Sequence, residues 1–282
     1  MIEIKNITKK YPGQKIPALS GVNLKIESGE FFGLLGPNGA GKTTMIKLLA
    51  TLLIPNEGEI IVDGERLARS NSNIKRKLSM VTQEYSLRSN MTPEQIMELP
   101  GRLYQIPKNV IRERSAELLD FCGLGEHRTK ICRQLSGGMK RKLMLSRGLL
   151  TAPEILILDE PTVGLDPFAR RQMWDLLKQL NDKGMTILLT THYIDEAQYL
   201  CRRIALIDKG KTDRVASPRE LIDELGATAV DEFDGSHTKS SFFAAREEAL
   251  HFAGELENEF VIRSTTLEDV FVTLIGRKLE GK

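Results

Sequence analysis

A glycine-rich segment near the start of the chain has the residue types and spacing of a loop that binds phosphate. It reads Gly36-Pro37-Asn38-Gly39-Ala40-Gly41-Lys42-Thr43-Thr44 and fits the pattern Gly-x-x-x-x-Gly-Lys-Ser/Thr. Glycines let several backbone N–H groups point at one anion, and the start of a following helix adds partial positive charge. Lys42 can then reach the β- and γ-phosphates of a nucleotide, and the Thr43 hydroxyl can bind Mg²⁺. The segment therefore predicts contacts to a nucleoside triphosphate.

Two adjacent carboxylates follow an apolar run in the second half of the chain. The run from Ile155 to Leu158 ends at Asp159-Glu160, and α/β proteins bind ligands at the carboxyl ends of their strands. We expect Asp159 to hold a magnesium ion, directly or through water, and Glu160 to act as general base on the attacking water. Either motif alone also fits a structural turn. Together they predict a phosphate-loop nucleoside triphosphatase.

A third motif narrows that class. Leu135-Ser136-Gly137-Gly138-Met139 resembles the signature sequence of the ABC ATPase family, usually LSGGQ, at the start of a helix within a helical subdomain. The resemblance implies that this motif completes the nucleotide site of the opposite subunit, with Ser136 and the Gly138 N–H on the γ-phosphate. A capping Ser followed by glycines is also an ordinary helix start. Met139 followed by the basic run 140–142 resembles exporter ATPases, and we expect that run to form an exposed helix face.

Four further positions match elements of the same family in the expected order. Tyr11 matches the aromatic residue that stacks on adenine, and Gln83 matches the glutamine that senses magnesium and joins the core to the helical subdomain. Asp166 matches the loop that contacts the opposite subunit, although it also suits a plain helix cap. His192 matches the histidine that contacts the γ-phosphate. The resemblance thus implies a catalytic set of Lys42, Gln83, Glu160 and His192, a metal-binding set of Thr43, Gln83 and Asp159, and Ser136, Gly137, Gly138 and Asp166 as contacts across a dimer.

The resemblance covers about residues 1–225 and implies ATP and Mg²⁺ as cofactors. It also implies a second ATPase subunit, most simply an identical one, so that two ATP molecules are held head to tail between phosphate loops and signatures. ATP would favour the closed dimer, and hydrolysis would reopen it. Gln83 and the helical subdomain would carry that movement to a separate transmembrane permease. We expect the chain to be cytoplasmic and to lie on the cytoplasmic face of the membrane only through this permease.

The elements that must position these residues alternate between strand and helix. Short strands and a hairpin turn at Asp63-Gly64 fill the first sixty residues around one helix, 42–53, and the stretch from Thr92 to Leu150 is helical, with Gly123 ending one helix. Uninterrupted apolar strands then alternate with helices, which is typical of a parallel sheet. The predicted strands are Ile2–Ile7, Leu19–Ile26, Phe31–Leu35, Glu59–Val62, Leu78–Thr82, Ile155–Leu158, Met185–Thr190 and Ile204–Ile207.

These patterns and the resemblance predict an α/β fold: a P-loop, ABC-type ATPase core in which a RecA-like parallel sheet carries an antiparallel β subdomain. An α-helical subdomain is inserted at about residues 84–150, and the whole ATPase domain spans 1–226. Residues 227–282 form a small α+β C-terminal appendix. In this appendix, the polar residues and turn formers at 231–241 predict a linker or long loop. It is followed by a predicted helix (Phe242–Leu256), a strand (Glu259–Arg263) and a last helix (Leu267–Leu274). Residues 265–271 resemble the tail of daunorubicin-resistance-type exporter ATPases.

Composition excludes several other classes. The 282 residues carry 40 Lys and Arg against 38 Asp and Glu, so charge gives no case for binding nucleic acid or anionic lipid. The scattered cysteines, Cys122, Cys132 and Cys201, predict buried, reduced thiols rather than a disulfide framework or zinc site. No signal peptide is visible at the first residues, and the apolar runs are far shorter than the roughly 20 residues that cross a bilayer.

Two rival functions stay open at this point. One is an ABC ATPase that acts on DNA or ribosomes without transport. DNA-acting relatives insert long coiled coils or zinc hooks, for which the stretch from Gln83 to Leu135 is too short, and ribosome-acting relatives usually fuse two ATPase domains. The other is a module that binds nucleotide without hydrolysis, against which the complete catalytic set argues. Transport is therefore the favoured function, and the C-terminal resemblance favours export.

Overall fold

The computed structural model describes the backbone of residues 1–280 and the side chains of residues 1–273. Residues 281 and 282 of the predicted appendix lie outside the described residues. In chain order the strands are β1 (Ile2–Lys9), β2 (Leu19–Ile26), β3 (Phe31–Leu35), β4 (Glu57–Val62), β5 (Glu65–Arg66), β6 (Leu78–Val81), β7 (Ile155–Asp159), β8 (Thr186–Thr191), β9 (Arg203–Asp208), β10 (Lys211–Ala216), β11 (Thr228–Phe233), β12 (Thr238–Phe243) and β13 (Glu259–Ser264). The helices are α1 (Lys42–Leu49), α2 (Ser72–Lys77), α3 (Pro93–Leu103), α4 (Lys108–Phe121), α5 (Gly137–Leu149), α6 (Pro167–Asp182), α7 (Ile194–Leu200), α8 (Pro218–Leu225), α9 (Arg246–Gly254) and α10 (Leu267–Glu280), with short 3₁₀ turns at Gly125–His127 and Cys132–Gln134.

The strands of the described residues form three sheets. An antiparallel sheet has the order β2-β1-β4-β5, a six-stranded sheet has the order β10-β9-β3-β8-β7-β6, and a small sheet has the order β12-β11-β13. In the six-stranded sheet β3, β8, β7 and β6 run parallel to one another. Every residue of β3, β7 and β8 is buried, because both faces of a parallel sheet are covered. The predicted α/β fold with parallel and antiparallel sheets is confirmed.

The chain divides into two compact units. The first contains Met1–His192 and Ala205–Arg214, and the second contains Tyr193–Ile204 and Val215–Lys282. The core of the first unit joins both of its sheets to α1, with buried side chains from β1, β3, α1, β7 and β8 in one apolar cluster. The division of the chain at residue 226 stays a prediction of domain organisation.

The chain between β6 and β7 is helical, as predicted. Helix α3 begins with a capping box, in which Thr92 and Gln95 exchange side-chain and backbone hydrogen bonds, and with Pro93 in its first turn. Helix α4 ends just before Gly123, whose φ of +69° is the left-handed conformation that terminates helices. Helices α3, α4 and α5 pack against one another.

One predicted helix end is wrong in the first unit. Helix α1 stops at Leu49 rather than at residue 53. Thr51 has a φ of +58°, and the N–H groups of Leu52 and Leu53 both donate to the Lys47 carbonyl. The helix therefore closes in a tight turn four residues early, before Pro55 can interrupt it.

The predicted linker at 231–241 is also wrong, because these residues belong to an antiparallel hairpin. Strands β11 and β12 pair along their whole length, from Thr228 with Phe243 to Phe233 with Thr238. The Asp234 carboxylate accepts from the N–H groups of Ser236 and His237, both at 2.8 Å, which stabilises the turn. Because β12 continues to Phe243, the predicted helix at 242–256 begins only at Arg246.

Polar residues are tolerated in this hairpin because the sheet supplies their partners. Asp231 accepts from Ser240 Oγ at 2.7 Å and from Arg263 Nε at 2.6 Å on the opposite neighbouring strand. Val230, the residue before Asp231, is fully buried against Ala249 and Ala253 of α9. Ala229 and Val230 are consecutive and both fully buried, so β11 lacks the alternation of polar and apolar residues by which a sequence pattern identifies a strand.

The cysteines and the helices bear on two further predictions, of buried thiols and of apolar runs too short to cross a bilayer. All three cysteines are free and buried, as predicted, and burial raises the pKa of the Cys122 thiol to about 11, which keeps it protonated at neutral pH. Within the described residues, none of the helices has the length and apolar character needed to cross a membrane.

Shortening Leu188 to alanine is expected to destabilise the first unit. Leu188 is 1% exposed in the middle of β8 and pairs with Phe32 and Ile157 on the two neighbouring strands. The cavity left behind should lower the free energy of unfolding by about 2–5 kcal/mol. Urea denaturation followed by the fluorescence of Trp174, the single tryptophan, measures it. Leu103→Ala, at a side chain 71% exposed, is the control; equal effects of the two changes would contradict the assigned core.

Candidate active site

A cavity of about 280 Å³ lies at the carboxyl ends of the parallel strands. Residues of the β3–α1 loop form one side, and Gln83, Glu160 and His192 follow β6, β7 and β8 respectively. Because β3, β8, β7 and β6 are neighbours in the sheet, their carboxyl ends meet at the same edge. Segments far apart in the sequence are therefore brought together by the sheet order. The lining residues are Ala18, Pro37, Asn38, Gly39, Gly41, Lys42, Thr43, Thr44, Gln83, Glu160 and His192.

The loop between β3 and α1 depends on two glycines for its path. A Cβ at Gly36 would lie 2.1 Å from the carbonyl oxygen of Ile207, and one at Gly41 would lie 2.6 Å from that of Ala18. Gly41 also has a φ of +111°, which side chains rarely adopt. Between them, Gly39 has a φ of +81°, and a Cβ there would meet nothing within 4 Å. The loop thus packs tightly at its two ends and curves around open space in its middle, which fits a bound phosphate chain.

Lys42 is the first residue of α1, and its side chain extends into this loop. The side chain is almost fully buried, and its Nζ donates to the carbonyl oxygens of Gly36 at 2.7 Å and Pro37 at 3.3 Å. Glu160 Oε1 is 3.9 Å away. Burial lowers the pKa of the Lys42 ammonium, and the carboxylates of Glu160 and Asp159 oppose that shift. A cation in this position is available to an anion that enters the loop.

Glu160 is turned into the cavity by an unusual backbone conformation. It follows β7 with a φ of +50°, and its N–H donates to the Thr190 carbonyl at 3.0 Å. Its Oε2 lies 2.8 Å from His192 Nδ1 and also accepts from the His192 N–H at 3.3 Å. A non-glycine residue in the left-handed region carries strain of about 1–3 kcal/mol. The carboxylate so placed is oriented by an imidazole and can accept a proton from a water molecule.

Asp159 is held by its neighbouring strand. Its Oδ1 accepts from Thr190 Oγ1 at 2.7 Å, and the residue is 7% exposed. It is not among the residues that line the cavity, although it lies next to Glu160 at the end of β7. The described residues contain no group of three or more His, Cys, Asp or Glu side chains that could hold a metal ion. Oxygen donors at Thr43, Gln83 and Asp159 fit a Mg²⁺ ion that is bound partly by phosphates and water.

The other predicted contacts within the chain lie at the edge of the cavity. The Tyr11 hydroxyl is 3.2 Å from Thr44 Oγ1, so this ring is tied to the first turn of α1 without lining the cavity. Ala40 is buried, and its carbonyl accepts from the Gly210 N–H at 2.9 Å. Stacking of adenine on Tyr11 therefore stays a prediction.

The signature residues and Asp166 are helix caps outside the cavity lining. The Ser136 hydroxyl accepts from the Met139 N–H at 3.2 Å and begins α5, whose first residues are Gly137 and Gly138. Ser136 and Gly137 are exposed. Asp166 accepts from the Ala169 N–H at 2.9 Å and begins α6. The plain capping role that the sequence allowed for both positions is present, and the described chain does not bring these residues into the cavity.

Three residues near the site were not singled out from the sequence. Ala18 lines the cavity, and Thr190 fixes Asp159, but an alanine in a loop and a threonine within a strand carry no sequence signal. Arg141 was expected on an exposed basic face, and that expectation is wrong. The residue is 2% exposed and donates to the carbonyl oxygens of Thr82 and Gln83.

Comparison with known proteins gives consistent matches. The family model described as ABC transporter matches residues 19–163. The chain is 34% identical over 280 residues to the linearmycin resistance ATP-binding protein LnrL of Bacillus subtilis (strain 168), covering 98% of this chain and 89% of that protein. It is 40% identical over 229 residues to the daunorubicin/doxorubicin resistance ATP-binding protein DrrA of Streptomyces peucetius, covering 81% and 69%.

Two further matches extend the comparison. A Nod factor export ATP-binding protein I, from Cupriavidus metallidurans (strain ATCC 43123 / DSM 2839 / NBRC 102507 / CH34), is 34% identical over 302 residues and covers 99% of this chain and 98% of that protein. Among solved structures, the ATP-binding cassette MJ0796, a dimer in a post-hydrolysis state bound to ADP and Pi, superposes with a TM-score of 0.69 at 32% identity. That match covers 77% of this chain and 98% of that one.

Replacing Gly36 by alanine is expected to weaken nucleotide binding. The added Cβ would collide with the Ile207 backbone, so the loop must move away from its present path. We expect ATP affinity to fall at least about tenfold, or about 1.4 kcal/mol, in a calorimetric titration. Gly254→Ala is the control, since a Cβ there meets nothing within 4 Å. Wild-type affinity in both variants would contradict the role of the loop.

Proposed function

This chain belongs to the ABC transporter family as an ATP-binding subunit and an ATPase, and on that premise we propose that it powers export through a separate transmembrane permease. Export is supported by the names of three relatives, which refer to resistance to linearmycin, resistance to daunorubicin and doxorubicin, and export of Nod factor. We further propose that two copies close around ATP. In this arrangement the chain is attached to the membrane by its permease alone.

The observation that supports ATP hydrolysis as the source of power is the meeting of Lys42, Glu160 and His192 at one cavity. Lys42 binds the β- and γ-phosphates of ATP, since its ammonium can exchange the carbonyls of Gly36 and Pro37 for phosphate oxygens. Glu160 accepts a proton from the attacking water, because its carboxylate faces the cavity and is oriented by His192. His192, 42% exposed at its side chain, can turn toward the γ-phosphate.

Magnesium has a place in this scheme. We assign Mg²⁺ to Thr43, Gln83 and Asp159, where the bound ion would neutralise charge on the β- and γ-phosphates. The chain's own part is to hold those donors. Thr190 fixes the Asp159 carboxylate, and Thr43 is exposed in the first turn of α1 beside Lys42.

A second copy is proposed because the exposed start of α5 does not line the cavity of its own chain. Ser136 and Gly137 are exposed, and a helix N-terminus that presents backbone N–H groups is suited to bind phosphate. These residues do not line the cavity described above, and in the proposed dimer they contact the nucleotide that the other chain holds. The dimeric state of MJ0796 in its complex with ADP and Pi supports a dimer.

A groove between the sheet and the helical segment offers a surface for the permease. A cavity of about 310 Å³ is lined by residues of α1, β6, α3 and α5 and of the segments that follow α1 and α3, among them Thr51, Tyr104 and Gly148. Leu99 and Leu103 of α3 are strongly exposed nearby in the sequence, at 48% and 71%. We propose that an apolar segment of the permease docks here, beside strand β6, which leads into the loop that contains Gln83.

Replacing Glu160 by glutamine tests both the base and the dimer. The amide keeps the size of the side chain but cannot accept a proton, so hydrolysis should fall at least about 100-fold while ATP still binds. The variant should then accumulate as an ATP-bound dimer, measured by light scattering after size-exclusion chromatography with and without ATP. Glu113→Gln, on the exposed side of α4, is the matched control.

The two parts of this proposal can fail separately. Fast turnover by the Glu160→Gln variant would exclude Glu160 as the base. A variant that binds ATP without turnover and stays a monomer would refute the closed dimer and leave the role of Glu160 intact.

A further inference from the structure

We propose that Arg141 is a positioning residue that fixes the loop 82–86 to helix α5, so that Gln83 and the start of α5 move as one body. The inference rests on the proposed function, in which Gln83 binds the metal of one ATP site and Ser136 contacts the ATP of the other. It assigns to Arg141 the mechanical link between the two sites within one subunit.

Arg141 is buried and points at the backbone of this loop. Its Nη1 donates to the Thr82 carbonyl at 2.8 Å and its Nη2 to the Gln83 carbonyl at 2.9 Å. Strand β6 ends at Val81, so beyond that residue the sheet no longer fixes the chain. A guanidinium carries its donors in a rigid planar fork. Two successive carbonyls held by one fork determine the orientation of the Gln83 backbone, and hence where its side chain enters the cavity.

Tyr85 makes a second connection between the same loop and α5. The Arg141 guanidinium lies over the Tyr85 ring, 5.0 Å from its centroid, where the face of the ring attracts a cation. The Tyr85 hydroxyl donates to the Gly137 carbonyl at 3.2 Å. Gly137 is the first residue of α5 and follows the Ser136 cap. The loop is therefore joined directly to the helix start that we assign to the other ATP site.

The rest of α5 is held along the same side. Arg147 donates to the carbonyl and hydroxyl oxygens of Ser86, at 2.8 and 2.6 Å. A Cβ at Gly148 would lie 3.1 Å from Ser79 Oγ on β6, so the helix approaches that strand closely. Gly137, Arg141 and Gly148 are spaced by four and seven residues and share one helix face. This face follows β6 and its loop from the helix start onward.

The arrangement predicts that the two ATP sites of the proposed dimer are coupled. A change at Gln83 in one site shifts the loop, Arg141 transmits the shift to α5, and Ser136 changes its position against the ATP of the other site. Coupling of this kind appears as cooperativity between sites. Without Arg141, the metal-binding side chain loses its fixed position and the sites become independent.

The test measures ATP hydrolysis against ATP and Mg²⁺ concentrations for the full chain. Arg141→Met removes both donors and keeps an unbranched stem, and Arg141→Lys keeps the charge without the fork. For both variants we expect kcat to fall about tenfold, the Mg²⁺ concentration for half-maximal rate to rise at least about threefold, and the Hill coefficient for ATP to fall to about one. The equilibrium Kd for ATP should stay within about twofold of wild type. Arg112→Met, on the exposed side of α4, should match wild type in all four quantities.

Several results would overturn the inference. These are a Hill coefficient of one in the wild type, or a folded Arg141→Met variant with a lower melting temperature but unchanged kcat, Mg²⁺ dependence and Hill coefficient. If neither Arg141 variant folds, Tyr85→Phe decides, because it removes only the hydroxyl bonded to Gly137 from a half-exposed ring. That variant should show a reduced Hill coefficient, and an unchanged one refutes the coupling. If the wild-type protein does not hydrolyse ATP, or if the Glu160→Gln variant does not dimerise with ATP, the proposed function is refuted instead.

Discussion

The site is organised around the burial of one positive charge. Moving an ammonium group out of water costs several kcal/mol unless other polar groups replace the water. In this chain the Gly36 and Pro37 carbonyls and the Glu160 carboxylate surround Lys42. The loop can offer those carbonyls only because Gly36 has no side chain to collide with Ile207. A triphosphate carries far more negative charge than these groups, so the burial of this ammonium favours the entry of ATP.

The order of the strands turns this local constraint into an active site. Strands β3, β8, β7 and β6 are neighbours in space, although helices and the whole helical segment separate them in the sequence. Each strand delivers one functional group at its carboxyl end: the loop with Lys42, then His192, Glu160 and Gln83. Gln83 also lies in the connection to the helical segment, where its carbonyl accepts from Arg141 of α5. In the proposed mechanism, metal binding by Gln83 and the movement of α5 therefore depend on one backbone segment.

The sequence predicted best those features in which a short pattern is dictated by local chemistry. The phosphate loop, the carboxylates after β7, the capping box at Thr92 and the glycine that ends α4 each need particular residue types within a few positions. Features that depend on distant partners were missed. Thr190 holds the Asp159 carboxylate because the two residues lie on neighbouring strands. Arg141 is buried where it contacts the loop after β6, which is distant in the sequence. The hairpin of β11 and β12 was predicted as a polar linker, because the partner of Asp231, which is Arg263 on β13, is distant in the sequence.

Equilibrium binding of MgATP, titrated calorimetrically, tests the central role of the buried charge most directly. Lys42→Ala and Lys47→Ala each remove one ammonium group from α1, the first buried inside the loop and the second exposed. The account predicts that Lys42→Ala weakens ATP binding at least about tenfold, since a charge-assisted contact is lost, while Lys47→Ala binds as wild type does. Equal affinities in the two variants would show that ATP does not bind through this cation and would contradict the account.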